Sequence, residues 1–222
     1  MKKKFFSAKN IAYFSVLLAL VVILQTCGGF FQIGGVSLSF VLVPIVLGGI
    51  LLGVAVGAFL GFVFGFIVLM YGVAGAEPFT AALLAGSPVM TVLICLVKGV
   101  AAGIVPALLY KPIAKKNKLA ASIVAALSAP VVNTGLFIVG CLMISGTIAS
   151  FTETGTMNEI VYFLFIVCAG VNFLIEFGIN IVLAPAIHRV VMVVEKNYVG
   201  KKSPRAPEGE EETENAETEK IS

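Results

Sequence analysis

Two ionisable side chains stand deep inside stretches that are otherwise apolar. Lys98 lies in the run from Val89 to Tyr110, and Glu176 in the run from Ile160 to Val193, both far from either end. Such a group is expensive to hold in an apolar segment and by default marks a site for a proton, an ion or a polar ligand. Asn172, Glu176 and Asn180 are four residues apart, so on a helix they share one face. Asn133 and Thr134, just after Pro130, lie in a third run, Leu119 to Ser145. Three segments thus offer an ammonium, a carboxylate, three amides and a hydroxyl at similar depth. One use is an ion pair of Lys98 with Glu176, with the amides satisfying backbone, which would only hold the segments together. The other is a pocket for a small polar molecule, apolar in most of its walls with a few placed polar groups. Phe59, Phe62, Phe64 and Phe66 could form such walls.

Other chemistries find little support. The chain has four cysteines, Cys27, Cys95, Cys141 and Cys168, none in a C-x-x-C pair, and one histidine, His188. They read as small apolar residues, and no cluster of His and carboxylates suggests a metal site. No G-x-x-x-x-G-K-[ST] phosphate loop occurs, so the chain is not expected to hydrolyse ATP itself. No enzyme activity, cofactor or nucleic-acid partner is expected.

The elements that must carry these residues are membrane helices. Of 222 residues 59% are hydrophobic and only 12% charged, outside the range of soluble domains. Between Asn10 and Ala76 there is no Asp, Glu, Lys or Arg, room for about three crossings at roughly 20 residues each. The runs are continuously apolar rather than alternating, which excludes a barrel of outer-membrane type. Six spans are expected: Asn10 to Cys27, Ser37 to Gly49, Gly53 to Tyr71, Val89 to Tyr110, Leu119 to Ser145, and Ile160 to Val193. The second and third come from one apolar run, which as a single helix would be about 52 Å long at ~1.5 Å per residue. That exceeds a hydrocarbon core of ~30 Å, so the run must turn near Gly48, Gly49 and Gly53.

Charge gives the direction. Lys2, Lys3, Lys4 and Lys9 precede the first span. Lys111, Lys115, Lys116 and Lys118 lie between the fourth and fifth. Arg189, Lys196, Lys201, Lys202, Arg205 and Lys220 follow at the end. With six spans every Lys and Arg except Lys98 falls on one side, while the opposite loops carry only Glu77, Glu153 and Glu159. The positive-inside rule makes both termini cytoplasmic. Residues 1–198 form the membrane domain of this all-α integral membrane protein. Residues 199–222, rich in Glu with little that is apolar, are expected to be a disordered acidic tail.

Small residues form two stripes. Gly49, Gly53, Gly57, Gly61 and Gly65 recur every fourth position, and Ala12, Ser15 and Ala19 line one side of the first span. Such stripes let helix backbones approach closely in a membrane, either inside this bundle or against a partner.

The basic start running into Ile11 to Ala19, the Ser39-Phe40-Val41-Leu42-Val43-Pro44 segment leading to Gly49-Ile50-Leu51-Leu52-Gly53 and Gly57, then Lys98-Gly99 with Gly103, and the Pro130 to Asn133-Thr134 element come in an order that resembles the substrate-binding S components of energy-coupling factor transporters. The resemblance covers roughly residues 8 to 195. It implies a vitamin-binding subunit of a bacterial plasma membrane that joins a transmembrane coupling (T) component and two cytoplasmic ATPases. It also implies that the first-helix stripe docks on the coupling protein, with Ser15 and Ala19 here where the family commonly has alanines four apart. The site residues expected to hold the ligand are Lys98, Asn133, Thr134, Asn172, Glu176 and Asn180.

Lys98 invites an anionic ligand, and the asparagines suit amide and hydroxyl groups. Pantothenate offers all of these and is the first choice; riboflavin, on a Phe-lined pocket, is the alternative. Two other classes remain at this point. An ion-coupled secondary transporter would use Lys98 and Glu176 as a relay, although no inverted repeat is visible. A membrane scaffold subunit would need only the bundle and the tail.

Overall fold

The computed structural model describes residues 8–28, 32–33, 36–37 and 40–199. The basic start at Lys2 to Lys4, most of the first outer loop and the acidic tail from residue 200 onward lie outside the described residues. The chain divides into two units, 1–191 and 192–222, and the second is helical over 192–199.

The elements are α1 (Ala8–Gly28), a minimal antiparallel ladder of β1 (Gln32–Ile33) with β2 (Val36–Ser37), α2 (Leu42–Leu51), α3 (Val54–Val73), α4 (Pro78–Gly86), α5 (Pro88–Ala114), α6 (Lys118–Met143), α7 (Ser145–Ala149), α8 (Met157–Tyr162), a π-helical turn over Phe163–Cys168, and α9 (Gly170–Val199). Five stretches are long and apolar enough to cross a membrane: Ala8–Gly28, Val54–Val73, Pro88–Ala114, Lys118–Met143 and the run Met157–Lys196. The chain is an all-α membrane protein.

The second expected span differs. Its helix is α2, which has 10 residues and is about 15 Å long, half the ~30 Å hydrocarbon core. The turn into α3 falls at Gly53, whose φ of 109° is a left-handed value that glycine takes without steric cost. The stretch expected to be a plain outer loop, Gly72 to Pro88, instead contains α4. Both α4 and α5 begin with a proline in the first turn, Pro78 and Pro88, where the missing N–H would have had no helical partner. At the start of α6 the Asn117 side chain accepts a hydrogen bond from the Ala120 N–H at 3.0 Å, the usual asparagine cap.

The glycine stripe packs inward. A Cβ on Gly57 or Gly61 of α3 would run into the carbonyl oxygens of Gly103 or Gly99 on α5, and one on Gly65 into that of Cys95. The two backbones therefore lie in direct contact, the geometry that small residues allow between membrane helices. Of the aromatic residues on α3, Phe59, Phe62 and Phe66 are exposed on the outside, and only Phe64 is buried. Of the four rings that could have walled a pocket, three thus face outward. The helix turns about 100° per residue, and only one of the four positions falls on the inner side.

Candidate functional site

The buried apolar residues fall into two clusters. One is built on α1, α2, α3 and the neighbouring parts of α5, α6 and α9, around Val21, Ile45, Leu60 and Phe64. The other gathers α4 and α7, α8 and the π turn around Phe79, Ile148 and Leu164. The buried Lys98, Asn133, Asn172, Glu176, Gln25 and Glu77 and the half-buried Thr134 meet in a cavity, with Val68, Phe137, Cys168 and Ala169. Val68 belongs to the first cluster, and Phe137, Cys168 and Ala169 to the second.

Five of the six residues expected to hold a ligand line this cavity. Asn180 does not; it sits one turn further along α9, buried, with its Nδ2 donating to the Glu176 carbonyl at 2.8 Å. Asn172 makes the same kind of bond, Nδ2 to the Cys168 carbonyl at 3.2 Å. Side-chain amides that donate to a carbonyl of their own helix are a common answer to the lack of water in a membrane interior.

The stripe on α9 owes its direction to the π turn. Ile160, Leu164, Cys168, Asn172, Glu176 and Asn180 are spaced four apart and all are buried. In a regular α-helix four residues overshoot one 3.6-residue turn, so such a stripe slides around the axis. The wider π turn over Phe163–Cys168, where the Ala169 N–H donates to the Leu164 carbonyl at 2.9 Å, takes up the overshoot. Asn172 and Glu176 consequently face the same interior as Ile160 and Leu164.

Lys98, on α5, is 8% exposed. Its Nζ lies 4.9 Å from the centroid of the Phe137 ring and 6.0 Å from that of Phe64, cation–π distances. Among the described residues no carboxylate stands within ion-pair distance of this ammonium. Lys98 and Glu176 share a cavity without forming a direct pair.

Two polar residues in the cavity escaped the sequence reading. Gln25 is fully buried on α1, and both its amide oxygen and its amide nitrogen lack a hydrogen-bond partner. It stands four residues beyond Val21 and eight beyond Leu17 on the buried stripe of α1, which in an all-round apolar helix cannot be told from the exposed sides by sequence. Glu77 was counted with the outer loops but is 3% exposed. The end of α3 explains why. Gly75, at φ 72°, closes a Schellman motif in which the Ala76 N–H donates to the Tyr71 carbonyl and the Gly75 N–H to the Gly72 carbonyl. The chain turns back, and Glu77, at the start of α4, accepts a hydrogen bond from Thr80 Oγ1 at 2.7 Å while lining the cavity. An aromatic cluster adjoins this end: Phe79 lies 6.0 Å from Phe137 and from Phe163, and 5.4 Å from Phe151.

The cavity measures about 30 Å³, room for about two water molecules. Chemically it offers a cation, two carboxylates, three amides and a hydroxyl between apolar walls, groups that can bind a small polar molecule. Elsewhere, Ala12, Ser15 and Ala19 all lie exposed on the outer side of α1. Among the described residues no group of three or more His, Cys, Asp or Glu is placed to hold a metal ion.

No curated protein matches the sequence. A family model does, that of the ECF transporter, substrate-specific component, over residues 9–188. With membrane helices surrounding a polar cavity and the match covering most of its length, the chain belongs to the substrate-specific components of ECF transporters.

Proposed function

We propose that this substrate-binding transporter subunit captures a water-soluble vitamin in the plasma membrane of a bacterium, with pantothenate as the first choice of ligand. The observation that carries the reading is the buried Lys98 ammonium, which among the described residues has aromatic rings near it but no carboxylate at ion-pair distance. A buried charge needs a counter-charge to be held cheaply, and a ligand carboxylate would supply one. Glu77 and Glu176 line the same cavity and would repel a simple anion. Pantothenate meets this difficulty because its hydroxyls donate hydrogen bonds, which those carboxylates can accept. Riboflavin is the second reading, favoured by the Phe137 ring in the wall and the Phe79 cluster behind it. Pockets for ligands of this size hold roughly 300–1,000 Å³, so the walls must part on binding.

In this reading the exposed small-residue side of α1, with Ser15 and Ala19, docks on the T component, and two separate ATPases supply the energy. Six crossings with both termini in the cytoplasm place the basic residues inside. Purification in detergent followed by mass spectrometry of the bound small molecule tests the proposal. A copurifying vitamin is expected. Ion-gradient-driven uptake by this chain alone would overturn it in favour of a secondary carrier.

A further inference from the structure

Among the described residues that line the cavity, Gln25 alone has both polar atoms of its side chain buried without a hydrogen-bond partner. It is fully buried, it lines the cavity, and both ends of its amide lack a partner. Leaving one buried polar group unsatisfied is costly, so a side chain that leaves two is poorly explained by stability. Its predecessors on the same stripe, Leu17 and Val21, are apolar and pack into the core, and a Leu or Met at position 25 would continue that packing. A glutamine there has a use once something in the cavity offers it both a donor and an acceptor.

We infer that Gln25 is a ligand-contacting, specificity-determining residue, which reads a neutral end of the substrate carrying both hydrogen-bond donors and acceptors, while Lys98 reads the anionic end. The inference rests on the vitamin-binding reading given above and deepens it. The two residues come from different helices, α1 and α5, and the rest of the polar lining supports the division. Glu77 beside them is a pure acceptor when ionised and suits hydroxyl donors, whereas Asn133, whose Oδ1 also lacks a partner, accepts from an amide or hydroxyl. A substrate with a carboxylate at one end and hydroxyl and amide groups along the other uses every one of these groups. A plain dicarboxylate would leave the Gln25 Oε1 without a donor, and a wholly apolar molecule would leave both ends of the amide unsatisfied, so both are rejected.

The test measures binding to the purified full chain by calorimetry, with three probes: pantothenate, its alcohol analogue in which CH2OH replaces the carboxylate, and riboflavin. Gln25→Met should weaken pantothenate and the alcohol alike, by about tenfold or more, and should raise the melting temperature of the ligand-free protein because an unsatisfied amide has been removed. Lys98→Met should weaken pantothenate far more than the alcohol. A Gln25→Met protein that binds as the wild type does overturns the inference and leaves the vitamin-binding reading standing, as does one that melts lower with affinity unchanged. If the wild type binds riboflavin and not pantothenate, the pantothenate choice fails, and Gln25→Met must then weaken riboflavin about tenfold or the inference fails too. Wild-type protein that binds none of the three overturns both.

Discussion

The Lys98 ammonium stands 4.9 Å from the centre of the Phe137 ring, and among the described residues no carboxylate stands against it. An aromatic face attracts a cation, worth about 2 kcal/mol or more when desolvated, but it does not neutralise it. In the proposed function a ligand carboxylate supplies the missing counter-charge. Lys98→Met is expected to weaken the vitamin ligand by about 30-fold or more, the 2–5 kcal/mol typical when one member of a buried charged pair is truncated. Thermal unfolding of the ligand-free variant should be unchanged or shifted upward. A loss of stability rescued by Glu176→Gln would instead identify an ion pair internal to the protein.

The contact of α3 with α5 predicts a sharp contrast between glycines. At Gly61 a methyl group would meet the Gly99 carbonyl, so Gly61→Ala is expected to destabilise by about 1–3 kcal/mol through overpacking. At Gly135, within α6, a methyl group would meet nothing within 4 Å, and Gly135→Ala should be neutral or stabilising by a few tenths to about 1 kcal/mol. Melting temperatures of the two variants in one detergent decide the matter. Equal effects would contradict the close approach of the two backbones.

The exposed stripe on α1 predicts a separation of binding from transport. Ser15→Leu and Ala19→Leu should abolish vitamin uptake by cells that contain the whole complex and leave the affinity of the isolated chain intact. Bulk at a small-xxx-small contact drives the helices apart, and these two residues face away from the cavity. Reduced affinity in either variant would show that the stripe serves the interior.

Topology is open to direct labelling. A cysteine at Thr154, in the turn between α7 and α8, should react with an impermeant reagent added outside the cell, and a reporter fused after Tyr198 should be active in the cytoplasm. Both sites on one side of the membrane would exclude six crossings.

Much of this protein is legible before any coordinates exist. A charge or amide in an apolar run is visible locally, because the cost of burying it in lipid does not depend on which helix lies beside it. Lys98, Glu176, Asn133 and Asn172 could be picked out for that reason, and so could the long apolar helices, whose length is dictated by the bilayer. The tertiary structure decided what depends on direction and return. Glu77 enters the cavity because a Schellman turn at Gly75 folds the chain back, an event set by backbone geometry over a few residues. Asn180 misses the cavity although it shares a stripe with Glu176, since a stripe is longer than the pocket it passes. Phe137 rather than Phe59, Phe62 or Phe66 faces Lys98, because helix packing and not residue type chooses the inner side. Gln25 shows the same limit most plainly: a lone amide near the end of an apolar helix becomes informative only once the neighbours that fail to satisfy it are known.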